Sequence, residues 1–162
     1  MKSITGNELF NLILCIAICE MAGIIGSQFT ARTVTTWYPT LEKPWFTPPG
    51  SVISVIWIIL FALMGLSLFL VWQERMSSKA SRIALGVFAL QLVVNVLWSY
   101  AFFGLQSPLA ALAVIALLWL LILQCIIRFW HISKYAAVLL IPYILWVSFA
   151  AYLNYSLWRL NF

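Results

Sequence analysis

Five apolar stretches, Leu9 to Phe29, Ser51 to Trp72, Ile83 to Phe103, Pro108 to Ile127 and Tyr135 to Leu157, occupy most of a 162-residue chain. Each is close to the ~20 residues that a helix rising ~1.5 Å per residue needs to cross ~30 Å of hydrocarbon. Lipid offers no partners to backbone N–H and C=O groups, so a spanning segment must be a helix or part of a closed barrel. These stretches lack the alternation of polar and apolar residues that a barrel requires, which leaves helices. The expected architecture is all-α, a single domain over residues 1–162 forming an integral membrane bundle of five transmembrane helices. A composition 65% hydrophobic and 8% charged, without any aspartate, excludes an ordinary soluble domain.

The connections are short, and Gly104 to Ser107 allows only a tight hairpin, so the third and fourth spans are expected to be antiparallel neighbours. Lys and Arg accumulate on the cytoplasmic side of membrane proteins. With five spans, Lys2, Arg75, Lys79, Arg82, Arg128 and Lys134 share one side, against Arg32, Lys43 and Arg159 on the other. The N-terminus is therefore expected inside and the C-terminus outside, in a bacterial cell membrane. The net charge of +5 is read as a topology signal and an attraction to anionic lipid, without implying nucleic-acid binding. The run after Lys2 is longer than the apolar part of a signal peptide and lacks a small-x-small cleavage site, so it is taken as the first span.

The longest connection, Trp37 to Gly50 with the sequence WYPTLEKPWFTPPG, is unlike a slack linker. Pro39, Pro44, Pro48 and Pro49 each fix φ, so the segment loses little entropy in settling into one shape. It reads as a lid. Trp57 and Trp98, counted from that side, each lie about 8 to 9 Å below it. Trp146 is deeper, and its indole N–H needs a partner. Gln91, Asn95, Trp98 and Phe102 form one stripe of the third span; Trp146, Ala150, Leu153 and Asn154 form one of the fifth. Amides at this depth serve equally well as interhelical glue or as polar points of a pocket. Aromatic walls, placed amides and small residues such as Ser27 and Ala150 suit a flat apolar ligand. Trp37, Trp45, Trp72, Trp130 and Trp158 fit an interfacial belt, and Trp119, lacking a polar neighbour at helical spacing, is expected to pack or to face lipid.

Cys15, Cys19 and Cys125 fall inside spans and read as small packing residues, and with a single His131 there is no metal-ligand set. No general acid, base or metal constellation supports ordinary catalysis.

Three segments together, WYPTLEKPWFTPPG, QLVVNVLWSYAFFG at Gln91 to Gly104 and IPYILWVSFAAYLNYSLWR at Ile141 to Arg159, resemble the translocator protein or tryptophan-rich sensory protein (TspO/MBR) family over nearly the whole chain. The resemblance implies a five-helix bundle, commonly a homodimer, that binds porphyrins such as protoporphyrin IX or a haem-like tetrapyrrole, sterols and synthetic aromatic ligands beneath the first loop. No cofactor is required. Trp57 and Trp146 match the tryptophans implicated in porphyrin binding and breakdown; Trp37, Pro48, Pro49, Asn95, Trp98, Ala150 and Leu153 match pocket or lid positions. Ser27, Ile53, Ala113 and Leu117 complete the expected ligand-binding set. The family's sterol pattern survives as Leu153, Tyr155 and Arg159, although an interfacial Tyr and Arg explain it as well. The chain departs from the family at Phe46, where tryptophan is common before x-Pro-Pro, and at Ala110.

Three functions follow as expectations: a porphyrin-binding sensor or transporter-like protein, a light- and oxygen-dependent porphyrin degrader using Trp57 and Trp146, and a proton-coupled exporter using Glu20. Glu20, Gly23 and Ser27 share a helix face, and a carboxylate within a span is a functional hypothesis in itself, but structural accommodation comes first: the carboxyl can be protonated and hydrogen-bonded within the bundle, and Gly23 with Ser27 forms a small-xxx-small packing surface.

Overall fold

A computed structural model describes residues 5–73 and 79–162. Two of the charges used for orientation, Lys2 and Arg75, lie outside the described residues. Five helical spans are present among the described residues, each long and apolar enough to cross a membrane: Gly6–Thr33, Gly50–Gln73, Lys79–Gly104, Pro108–Trp130 and Lys134–Asn161.

The ends of the helices follow from their caps. α1 (Gly6–Thr33) opens with a capping box, in which the Thr5 hydroxyl accepts from the Glu8 N–H at 3.3 Å and the Glu8 carboxylate accepts from the Thr5 N–H at 2.8 Å. α2 spans Gly50–Gln73 and α3 Lys79–Ser99. α4 (Pro108–Trp130) starts at Ser107, whose hydroxyl accepts from the Ala110 N–H at 3.2 Å, with proline in its first turn, where a missing N–H costs nothing.

Two spans depart from simple helices. The third leaves α3 as a π-helical turn over Tyr100–Gly104, which ends in a reversal where Gln106 takes a left-handed φ of 51°. The fifth, expected as one helix, is broken into α5 (Lys134–Leu139) and α6 (Ile141–Asn161). Pro142 explains the break: it has no N–H to give and its ring clashes with the carbonyl one turn back.

The helices close into a ring. α1 packs against α2 and α3, α3 against α4, α4 against both α5 and α6, and α5 against α2. The hairpin neighbours α3 and α4 are thus adjacent, as their short connection requires. α1 and α2 touch almost backbone to backbone, since a Cβ on Gly65 would lie 2.5 Å from Ile16 Cα. Glycine here permits the close approach.

Packing differs along the bundle. At the end that carries the N-terminus, Cys19, Met64, Val71, Ile122 and Phe129 are wholly enclosed, and Phe88 stacks on Phe129 with centroids 5.7 Å apart. The three cysteines are buried free thiols in this core. Large apolar side chains such as Phe10, Ile13, Leu90, Leu120 and Leu145 point outward. On a soluble protein such a surface would aggregate; on a membrane bundle it meets lipid. Toward the loop between α1 and α2, the interior opens into a cavity.

Candidate ligand-binding cavity

The loop is held in one shape by its own chain and by α6. A 3₁₀ turn covers Tyr38–Thr40, and the Thr47 N–H and hydroxyl both donate to the Pro44 carbonyl, at 3.0 and 2.7 Å. Lys43 Nζ donates to the Leu41 carbonyl at 3.0 Å and lies 4.9 Å from the centre of the Tyr38 ring. Asn161, at the end of α6, closes a two-bond clasp. Its Oδ1 accepts from the Glu42 N–H at 2.8 Å, and its Nδ2 donates to the Glu42 carbonyl at 3.0 Å. Aromatic contacts complete the seat: Trp37 meets Phe102 edge-on at 5.6 Å, and Phe46 stacks on Tyr152 at 5.3 Å and 17°. Trp45 is 96% exposed, which suits an indole in the headgroup region.

Beneath this loop lies a cavity of about 430 Å³. α1 contributes Glu20, Ile24, Ser27 and Thr30, with Val34 at its C-cap, one face at helical spacing. α2 brings Ile53, Ser54, Trp57, Ile58 and Phe61; α3 with its π turn brings Asn95, Trp98, Ser99, Phe102 and Phe103. From α6 come Trp146, Phe149, Ala150, Leu153, Asn154 and Leu157, while Tyr38 reaches in from the loop. Burial pushes the Tyr38 phenol above its ordinary range, so it stays a hydrogen-bond donor near neutral pH.

One wall is a run of aromatic rings. Phe61 is 5.6 Å from Trp57, Trp57 is 6.5 Å from Trp98 at 32°, and Trp98 stacks on Phe102 at 5.7 Å and 28°. Such a run offers π faces to a planar guest. The floor is polar, and its groups bond to one another. Asn95 Nδ2 donates to Tyr143 Oη at 2.8 Å, and the Tyr143 hydroxyl donates to Gln91 Oε1 at 2.9 Å. Higher up, Trp98 Nε1 donates to Asn154 Oδ1 at 3.2 Å, and Asn154 Nδ2 donates to the Pro108 carbonyl at 2.9 Å. The amides therefore serve as glue and as wall at once. Trp146 is the exception, because its indole nitrogen is buried without a hydrogen-bond partner.

Of the residues expected from sequence, the cavity brings together Ser27, Ile53, Trp57, Asn95, Trp98, Trp146, Ala150 and Leu153. Trp37, Pro48 and Pro49 do not line it. Trp37 instead backs Phe102, and the Pro49 carbonyl accepts from the N–H groups of Val52 and Ile53, so this proline starts α2. Ala113 and Leu117 lie on the exposed face of α4, whose opposite side is taken up by α3 and α6. The sterol pattern is divided: Leu153 is buried, whereas Tyr155 and Arg159 are exposed. Residues two apart on a helix differ by ~200° in direction, so Leu153 and Tyr155 cannot share a surface. Trp119, given no polar partner from sequence, donates to Ser148 Oγ on α6 at 2.8 Å. Tyr38, Phe61, Phe103 and Phe149 were missed as lining residues; for Phe61 the signal was present, since it lies one turn beyond Trp57.

The match with known proteins runs through all of these elements. The TspO/MBR family model matches residues 15–159. The chain is 42% identical over 154 residues to tryptophan-rich protein TspO of Chlorobaculum tepidum, covering 95% of this chain and 98% of that one. It is 40% identical over 154 residues to tryptophan-rich protein TspO of Archaeoglobus fulgidus, covering 95% and 99%. With the translocator protein of Bos taurus it shares 34% identity over 143 residues, covering 88% and 85%. With five membrane-length apolar helices and a family match over most of its length, this multi-pass integral membrane protein belongs to the TspO/MBR family.

Proposed function

We propose that the protein is a membrane receptor or sensor that binds flat conjugated ligands of the tetrapyrrole type in the tryptophan-lined cavity. The observation that carries this reading is the aromatic wall from Phe61 through Trp57 and Trp98 to Phe102. A planar macrocycle stacks on such faces, and its acidic edge groups stay at the loop end, where Arg32 and Lys43 are exposed. Trp146 adds its ring to the same lining. A sterol fills an apolar cavity too but gains nothing from π faces, so it ranks below a tetrapyrrole. A receptor fits better than a through-channel, because Gln91, Met64 and Tyr143, each no more than 1% exposed, close the bundle beneath Asn95. We further place the N-terminus in the cytoplasm of a bacterial cell, from the bias of Lys and Arg between the two sides.

Titrating protoporphyrin IX into the purified protein in the dark tests this reading through tryptophan quenching. Saturable quenching is expected, with affinity about three- to tenfold weaker in Trp146→Phe, whose smaller ring gives up contact surface worth ~1 kcal/mol. Quenching that never saturates contradicts it. The same sample under light separates a second reading, favoured by the presence of Trp57 and Trp146 in one cavity. An indole can give an electron to an excited porphyrin. If the ligand spectrum changes under light with wild type but not with Trp57→Phe, the protein degrades what it binds.

A further inference from the structure

Among the described residues, Glu20 is the one carboxylate lining the cavity, and no lysine, arginine or histidine lines it. It sits near the middle of α1, about 20 Å along the helix from Gly6 at ~1.5 Å per residue. A carboxylate at that depth is costly in lipid and is found facing a bundle interior or a cavity. Here it faces the cavity, together with Ile24 and Ser27 of the same helix face.

Its surroundings on that wall are aromatic. Gly23, one turn from Glu20, lies so near Phe61 that an added Cβ would be 2.6 Å from the ring. Phe61 in turn lies against Trp57. A planar anion or a neutral hydrocarbon gains nothing from a carboxylate there. A cation gains twice. Ring faces attract positive charge by their quadrupole, most strongly when water is excluded, and an opposite charge in a low-dielectric cavity adds a Coulombic attraction far above its value in water.

We propose that the cavity takes a second class of ligand, lipophilic aromatic cations, with the positive centre held between the Glu20 carboxylate and the rings of Phe61 and Trp57. The inference rests on the cavity and its single charge and is independent of the tetrapyrrole reading. Glu20 is then a specificity-determining residue, selecting ligands by charge.

Tetraphenylphosphonium and tetraphenylborate, nearly identical in shape and opposite in charge, provide the test. Each is titrated into the purified full-length protein, with protein-free micelles subtracted and tryptophan fluorescence as the signal. The cation is expected to bind saturably and at least about tenfold more tightly than the anion. Glu20→Gln is expected to lose about tenfold or more in affinity for the cation, and Glu20→Asp to keep part of it. Equal binding of the two ions by wild type overturns the proposal and requires no variant to fold; so does undiminished cation binding by Glu20→Gln. Protoporphyrin IX titrated into the same preparation keeps the two readings apart. Saturable porphyrin binding without cation preference sinks only the cation site, and the reverse pattern sinks only the tetrapyrrole reading.

Discussion

Tyr143→Phe is expected to destabilise the bundle by about 1 to 3 kcal/mol while leaving its shape unchanged. The Tyr143 hydroxyl links two helices by accepting from Asn95 and donating to Gln91. Removing that oxygen strands the Gln91 amide, in a residue 1% exposed and outside the cavity lining, while Asn95 still borders the cavity. Each orphaned buried group costs ~1 to 3 kcal/mol. Hydrogen bonds between membrane helices average nearer ~0.6 kcal/mol, because the loosened groups usually find other partners. Here the neighbours are apolar or already engaged: Gln91 Nε2 faces the Met64 sulfur at 3.8 Å, and Trp57 packs edge-on against the tyrosine ring at 6.2 Å. Reversible unfolding in mixed micelles measures the loss, and Asn95→Leu should cost less in the Tyr143→Phe background than alone. A loss under about 0.5 kcal/mol would show that the network contributes position without stability.

Ligand affinity is expected to fall about 5- to 150-fold in Trp57→Ala. Trp57 is the centre of the aromatic wall, with Phe61 on one side and Trp98 on the other. Stacking of a planar ring on an aromatic side chain is worth ~1 to 3 kcal/mol, which sets the range. Trp119→Phe is the control. That indole lies outside the cavity lining and is bonded to Ser148, so its loss should leave porphyrin affinity within about twofold. Equal effects from both replacements would mean that quenching reports lipid partitioning of the porphyrin rather than a site.

The contrast between these two tryptophans shows what could be read from sequence and what could not. Hydropathy alone located all five spans, because the cost of exposing a backbone to lipid overrides every weaker preference. Helical spacing placed Asn95, Trp98 and Phe102 on one face, and they do share the cavity. Spacing within one helix is silent about its rotation against the next. That is why Ala113 and Leu117 were expected at the cavity although α4 turns them outward, and why the bond from Trp119 to Ser148 was invisible. Hydropathy joined Tyr135 to Leu157 into one span because it measures composition and not backbone geometry, so the break at Pro142 between α5 and α6 escaped it. The loop's rigidity was legible from its prolines. Its clasp to Asn161 joins residues 119 positions apart and left no local mark.

Filling the cavity tests the central claim most directly. Ala150 lines it from α6 and is half-buried, so a tryptophan at 150 projects into open space rather than into the packed core. Protoporphyrin IX titrated in the dark into Ala150→Trp, with circular dichroism confirming helix content, should show affinity reduced tenfold or more. Undiminished porphyrin affinity in a well-folded Ala150→Trp protein would place the ligand elsewhere and contradict the account.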